Sequence, residues 1–334
     1  MNPVRVALFG AGGFGRERIR AASKLQSLVI SAVYPAFDAP PGDYVRYEDL
    51  AGALSHPGLD AVILSVPNPH HVDLGVAALR AGKHLFVEKP LANTVAEAAV
   101  LVREASTRGL VLAVGHNSRR DAHVREMRRL LDQGILGHVV MAEGHFSRDA
   151  GLRLRPGEWR WHDTTCPGGP LTLLAIHEID TLQYLLGRVR RVFGWQRRFA
   201  ASAEIPDTTV TVLEFEAGAL ATVGSDYVSP HARALRLFGT GGNARWDDPG
   251  GLVVDQPDRP PRAIRLSPVD SLREELDDFA TSIRDGRSPE VDGVTGLINV
   301  AVVEAAMEAN RHGAAVEVRE VLERAGAGAL ADGR

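Results

Sequence analysis

Val4-Arg5-Val6-Ala7-Leu8-Phe9 runs straight into Gly10-Ala11-Gly12-Gly13-Phe14-Gly15, and the fold class turns on that junction. The first six residues, mostly apolar, read as a buried strand. The glycines follow at G-x-G-x-x-G spacing, and a helical segment continues from Arg16 to about Lys24. Gly10 permits a tight turn and Gly12 lets the backbone approach a pyrophosphate. Gly15 lets helix and strand pack closely, so that the helix N-terminus faces the phosphates. The bare pattern is weak, but between a first strand and a helix it is a strong sign of dinucleotide binding. Gly13 and Phe14 complete the candidate cofactor-binding turn.

Downstream, strands and helices alternate. Leu28 to Val33 is the second strand, where an acidic residue should close the strand and accept the adenosine ribose hydroxyl. Tyr34-Pro35 stands there instead, and the nearest acid is Asp38. Tyrosine can stack on adenine or donate to a 2′-phosphate, so both NAD and NADP stay open. The absence of a carboxylate favours NADP. Asp60 to Val66 is a further strand; Ser65, Pro67 and Asn68 at its end border the expected nicotinamide side. His71 either contacts the cofactor or caps the following helix, which runs through Arg80. Lys83 to Val87 is a buried strand entering Glu88-Lys89-Pro90. Strand ends of an open parallel sheet line the ligand crevice, so Glu88 and Lys89 are expected beside the cofactor. Pro90 permits a cis bond that would aim the lysine. The plain alternative is a solvated charge pair closing a strand. Thr94 and Glu97 form a capping box for a helix to about Thr107. Leu110 to Gly115 is the next strand, ending in His116-Asn117. This alternation gives an α/β class with a doubly wound parallel sheet over residues 1–118.

Past Asn117 the pattern changes, and residues 119–334 read as a second, α+β domain with an open, mostly antiparallel sheet. A basic amphipathic helix (about Ala122 to Gln133) leads into a strand from His138 to Ser147. Phe199 to Val228 alternates polar and apolar residues around Ala217-Gly218, a hairpin signal. Gly239-Thr240-Gly241-Gly242 is another turn, and helices over Ser271–Arg284 and Gly293–His312 close the domain. Helices on one face leave the other needing cover, which a homo-oligomer would supply. Within this half, Glu158-Trp159-Arg160-Trp161-His162 leads through Gly168-Gly169-Pro170 to His177-Glu178-Ile179-Asp180. Pro170 suits the first position of a helix to Leu186, on which Leu173, His177, Asp180 and Tyr184 share a face. His177 is then a candidate proton-transfer group, the alternative being a structural histidine bonded to Asp180. Cys166 with His162 and His177 lacks any repeated ligand spacing, so no metal is expected.

Composition narrows the function classes. The chain has 334 residues, 45% hydrophobic and 24% charged, with 38 basic against 42 acidic side chains. A formal charge of −4 gives no reason to expect nucleic acid or an anionic membrane as partner. One cysteine suits a reducing compartment. No leader precedes the first strand and no apolar run approaches the roughly 18 residues of a membrane span, so a cytoplasmic location is expected.

Assembled, these residues resemble the glucose–fructose oxidoreductase/inositol dehydrogenase/rhizopine-catabolism (Gfo/Idh/MocA) family over about Val4 to Val318. The resemblance is carried by Gly10-x-Gly12-x-x-Gly15, Pro67-Asn68 with His71, Glu88-Lys89-Pro90, Asn117 with Arg119, Trp159-Arg160, Gly168-Gly169, His177 with Asp180, and Gly239-Thr240-x-Gly242. It implies a Rossmann domain, an α/β domain with an open antiparallel sheet, dimers or tetramers through that sheet, and a tightly held NAD or NADP. The implied reaction is a dehydrogenase or reductase exchange at a CH-OH group of a sugar, polyol or cyclic diol. Lys89 falls on the lysine that orients the substrate hydroxyl and relays its proton, and His177 on the acid/base histidine. Asn117 and Arg160 join the cofactor set, while Arg119 and Trp161 join Lys89, His177 and Leu173 in the substrate set. The arginines could equally be ordinary surface residues. The family often carries an aspartate where this chain has Leu173. That departure points to a less hydroxylated or cyclic substrate, or a rearranged proton relay. Two other functions fit the same resemblance: an NAD-dependent glycosidase, and a dinucleotide-binding sensor or scaffold without turnover.

Overall fold

The computed structural model describes residues 2–35 and 39–332; Asp38 lies outside them. In chain order the elements used below are β1 (Val4–Phe9), α1 (Gly13–Ala22), β2 (Leu28–Tyr34), β3 (Val45–Arg46), α2 (Leu50–Leu54), β4 (Ala61–Leu64), α3 (His71–Arg80), β5 (His84–Glu88), α4 (Val95–Thr107) and β6 (Leu112–Gly115). Next come α5 (Ala122–Asp132), β7 (Val139–Ser147), α6 (Ile176–Leu186), β8 (Val189–Arg197), β9 (Thr208–Phe215), β10 (Leu220–Asp226) and β11 (Ala232–Gly239). The chain closes with β12 (Gly242–Asp247), β13 (Gly251–Asp255), β14 (Arg262–Ile264), α7 (Ser271–Asp285), α8 (Gly293–His312) and β15 (Val316–Glu317).

These elements form two compact units. One holds the chain up to Asn117, then Asp270–Val300 and the residues from Ala325 on; the other holds Ser118–Val269 and Ala301–Arg324. A single break after residue 118 therefore misses the return of α7. The reason is packing. Leu276, Phe279 and Ala280 on the buried face of α7 join Val4, Leu8, Leu28 and Phe86 in one apolar cluster. The Phe279 ring meets Phe86 edge-on at 5.7 Å. Full burial of a phenylalanine contributes roughly 1.5–3 kcal/mol, which draws the helix back to the first sheet.

The first unit is a six-stranded sheet ordered β3-β2-β1-β4-β5-β6, every pairing parallel. Its central strands are buried on both faces: Val6 to Phe9 and Ala61 to Leu64 are all fully buried. That is why they read as unbroken apolar runs without alternation. Strand order reverses between β1 and β4, the switch point at which such sheets bind ligands. Thr94 and Glu97 close a reciprocal capping box on α4, as expected.

The second unit is a nine-stranded sheet ordered β14-β13-β12-β11-β7-β10-β9-β8-β15. It is mostly antiparallel; β7 and β10 run parallel. The hairpin of β9 and β10 turns at Ala217-Gly218, with Gly218 at φ +90°. Burial alternates along these strands. Thr209, Thr211, Leu213 and Phe215 face the covered side, while Val210, Trp195 and Leu220 are about half exposed on the other. Before α6 the chain makes a π turn over Leu171–Ala175, where a regular helix from Pro170 was expected. No helix among the described residues is long and apolar enough to cross a membrane.

Candidate active site

In the first unit the glycine turn is built by exclusion. Gly10 adopts φ +86°, and a Cβ there would lie 2.4 Å from the Ser65 carbonyl oxygen. A Cβ on Gly15 would sit 2.0 Å from the Gly10 oxygen. Both positions therefore take only glycine, and they lock the end of β1 against β4 and α1. Gly13, at φ +36°, has nothing within 4 Å of its Cβ position, so the backbone there presents an open approach. Gly12 caps α1 without a side-chain bond, and the first turn holds no acid. The orphan N–H groups and positive end of α1 are thus left for an anion. This cradle fits a dinucleotide pyrophosphate, which the backbone of Gly12, Gly13 and Phe14 would hold. Phe14 is exposed. Tyr34 ends β2, its carbonyl accepting the Gly10 N–H at 2.8 Å and its ring edge-on to Phe9.

The neighbouring strand ends sit on the same sheet edge. Ser65 donates its N–H to Phe9, and the buried Asn68 reaches Asn93. His71 stands just inside α3 and does not cap it. Fully buried, it places Nδ1 2.9 Å from the Pro90 carbonyl and Nε2 3.0 Å from the Val66 carbonyl. Burial holds its pKa below the ordinary imidazole value against the pull of those carbonyls. The neutral ring donates its one N–H to one of the two, tying the residue after Lys89 to the β4 loop.

Glu88, buried at the end of β5, is committed to Arg18. Arg18 Nε donates to Glu88 Oε1 at 2.5 Å, and Nη1 donates to Glu275 of α7. Burial alone would lower the Arg18 pKa, but Glu275 and Glu88 reverse this and hold it above the usual guanidinium range. A Cβ on Gly115 would come within 2.9 Å of Arg18 Nη2, so that glycine makes room for the group. Sequence reasoning missed Arg18. Its signal was positional: Gly15, Arg18 and Ala22 share the inward face of α1, where an unpaired charge is prohibitive. Lys89, half-buried, follows Glu88 with a cis bond to Pro90. Asn117 donates to Ser271 Oγ at 3.0 Å, at the start of α7.

In the second unit His177 lies in the first turn of α6, half-buried, with Nδ1 3.2 Å from Ser118 Oγ and its ring 5.9 Å from that of Phe146. Asp180 is fully buried and takes Arg119 in a two-pronged pair, Nε at 2.9 Å and Nη2 at 2.5 Å. The Arg119 guanidinium also covers the Tyr184 ring. Arg119 is thus bound up in the scaffold beneath His177. Leu173 is buried in an apolar cluster with Phe146, Cys166, Leu174 and Tyr227, against which Trp159 and Trp161 pack. A carboxylate at 173 would lose its water there, which accounts physically for leucine. Arg160 stacks on Trp159 with 4.2 Å between guanidinium carbon and ring centre. His162 pairs with Glu204 at 2.8 Å. Ser118 and Phe146 were also missed; nothing local in the sequence marks a hydroxyl that meets a histidine 59 residues away.

Comparison with known proteins identifies this arrangement. Residues 4–116 match the family model of the oxidoreductase family with an NAD-binding Rossmann fold, and residues 124–245 the GFO/IDH/MocA C-terminal domain. The scyllo-inositol 2-dehydrogenase (NAD(+)) of Bacillus subtilis is 30% identical over 81% of each chain. The 4-carboxy-2-hydroxymuconate-6-semialdehyde dehydrogenase of Sphingobium is 27% identical over 86% of this chain and 92% of that one. A crystal structure from Desulfitobacterium hafniense, described as a candidate NADPH-dependent oxidoreductase, superposes with a TM-score of 0.90. It is 29% identical and covers 96% of this chain and 100% of its own. The chain belongs to the GFO/IDH/MocA family of oxidoreductases, with an NAD-binding Rossmann fold as its first domain.

Proposed function

We propose that the chain is an NAD(P)-dependent dehydrogenase acting on a secondary alcohol, or the matching ketone, of a sugar, polyol or related ring. The observation that carries this reading is the carboxyl edge of the first sheet. There the open, acid-free N-terminus of α1 shares one edge with Lys89, at the end of β5. When bound, the nicotinamide supplies the hydride acceptor or donor. Lys89 donates an ammonium hydrogen bond to the substrate oxygen and orients it. His177 takes the hydroxyl proton at Nε2; Ser118 at Nδ1 fixes the ring and its tautomer. Relatives named for inositol and for a carboxylated semialdehyde support a substrate of this kind.

Lys89→Ala and His177→Ala should each lower turnover about 10²–10⁴-fold while dinucleotide binding, followed by fluorescence of the reduced nicotinamide, persists. Wild-type rates in both variants would overturn the two roles. Release of free sugar without net reduced nicotinamide would instead indicate a glycosidase, and dinucleotide binding with no turnover a sensor or scaffold. We also propose that a second copy of the chain covers the bare face of the second sheet. There Trp195, Val210, Gly224 and His145 align across four strands.

A further inference from the structure

Two guanidinium groups in the second unit stand apart from the arginines around them. Arg153 is paired with Asp149, Arg233 with Glu178 and Asp121, and Arg119 with Asp180. Among the described residues no carboxylate lies within ion-pair distance of Arg148 or Arg160. Each lies on an aromatic face instead: Arg148 over Phe146 at 5.3 Å, Arg160 over Trp159 at 4.2 Å. Stacking occupies the flat side of a guanidinium and leaves its in-plane N–H fork open, held in one orientation.

Both rings belong to one apolar cluster. Phe146 and Tyr227 pack with Leu173, and Trp159 and Trp161 pack against them. Phe146 also touches His177, so one ring separates the proposed acid/base from Arg148. Arg148 follows Phe146 by two residues at the end of β7, on the same side of the strand. Arg160 and Arg148 both act on the Tyr227 hydroxyl, whose pKa burial raises and these cations oppose; Glu158 faces it too. Nearby acids are engaged elsewhere: Glu158 with the Arg155 N–H, Glu204 with His162, Asp226 with Ser229.

We propose that the substrate carries a carboxylate, gripped by the stacked fork of Arg148 with Arg160 as the second cation, and that its carbon skeleton lies on Leu173 and Trp161. Resting on the dehydrogenase reading above, the proposal narrows the substrate to a cyclic or unsaturated hydroxy or keto acid. A neutral polyol would leave two forks unfilled and its own hydroxyls against an apolar floor. An acid satisfies both.

The test measures binding separately from turnover. Calorimetry on the full chain, saturated with reduced dinucleotide, uses shikimate as a cyclic hydroxy acid, myo-inositol as its neutral counterpart and myo-inositol 1-phosphate as a different oxyanion. Shikimate should bind at least tenfold tighter than either. Arg148→Met should weaken it roughly ten- to a hundredfold, with Arg148→Lys in between because it keeps the charge and loses the fork. Arg153→Met, already spent on Asp149, should bind as wild type does. Equal or tighter binding of the polyol or the phosphate, or wild-type shikimate binding by Arg148→Met of unchanged melting temperature, would overturn the carboxylate. Turnover of myo-inositol alone would leave the dehydrogenase reading standing and sink this one. Arginine-dependent shikimate binding with no turnover of any alcohol or ketone would do the reverse.

Discussion

Arg18 is a cation placed beyond the reach of water, and it binds two buried acids, Glu88 and Glu275. Removing the guanidinium takes away the cation that both buried carboxylates bond. Arg18→Met should therefore cost about 3–5 kcal/mol, read as a lowered denaturation midpoint. Adding Glu275→Gln to that variant should recover part of the loss, because one of the two buried charges disappears. A single variant of wild-type midpoint would show that the triad carries no net stability. Leu173 makes the complementary point. Its departure from the family aspartate was visible in the sequence, but the apolar cluster that explains it is assembled from residues between 146 and 227. Composition cannot assemble it.

Elements differ in how their ends are finished. Thr94 and Glu97 satisfy the start of α4 within the chain, whereas the start of α1 is left bare for a ligand. Both ends were readable, because capping and glycine spacing are local. The π turn before α6 was not, since nothing in Leu171–Ala175 distinguishes a wide turn from a regular one. Between elements, His123 of α5 stacks on Trp246 of β12, ring centres 3.6 Å apart and planes 6° from parallel. Burial, with Arg233 adding to it, pushes His123 down to about 3. Above about pH 6.5 the ring is neutral folded or unfolded, and nothing is at stake. Below that the unfolded chain takes the proton first, so the stability the neutral ring provides is lost between about 6.5 and 3. By pH 4 the loss is roughly 3 kcal/mol. His123→Phe keeps the stack and removes the titration, so its melting temperature should fall less than the wild type's between pH 7 and 4. Parallel curves would refute this.

At the scale of the molecule, the nine-stranded sheet buries one face and bares the other. Trp195 is 50% exposed beside Val210 at 45%, an apolar strip that soluble proteins usually cover. Light scattering should give at least a dimer for the wild type and a smaller species for Trp195→Glu with Val210→Glu. A monomeric wild type would end that proposal. The strip follows from alternation in sequence, but neither the strand order nor the return of α7 does: that return joins Phe279 to Phe86 and Arg18 to an acid 257 positions away. That return sets a timetable for synthesis. A ribosome adding about 5–20 residues per second exposes the first sheet with its Phe86 side uncovered. It needs on the order of ten to thirty seconds more to deliver Glu275 and Phe279. For that interval the nascent dinucleotide fold is unsealed, and a gene truncated after Asn117 would leave it so permanently.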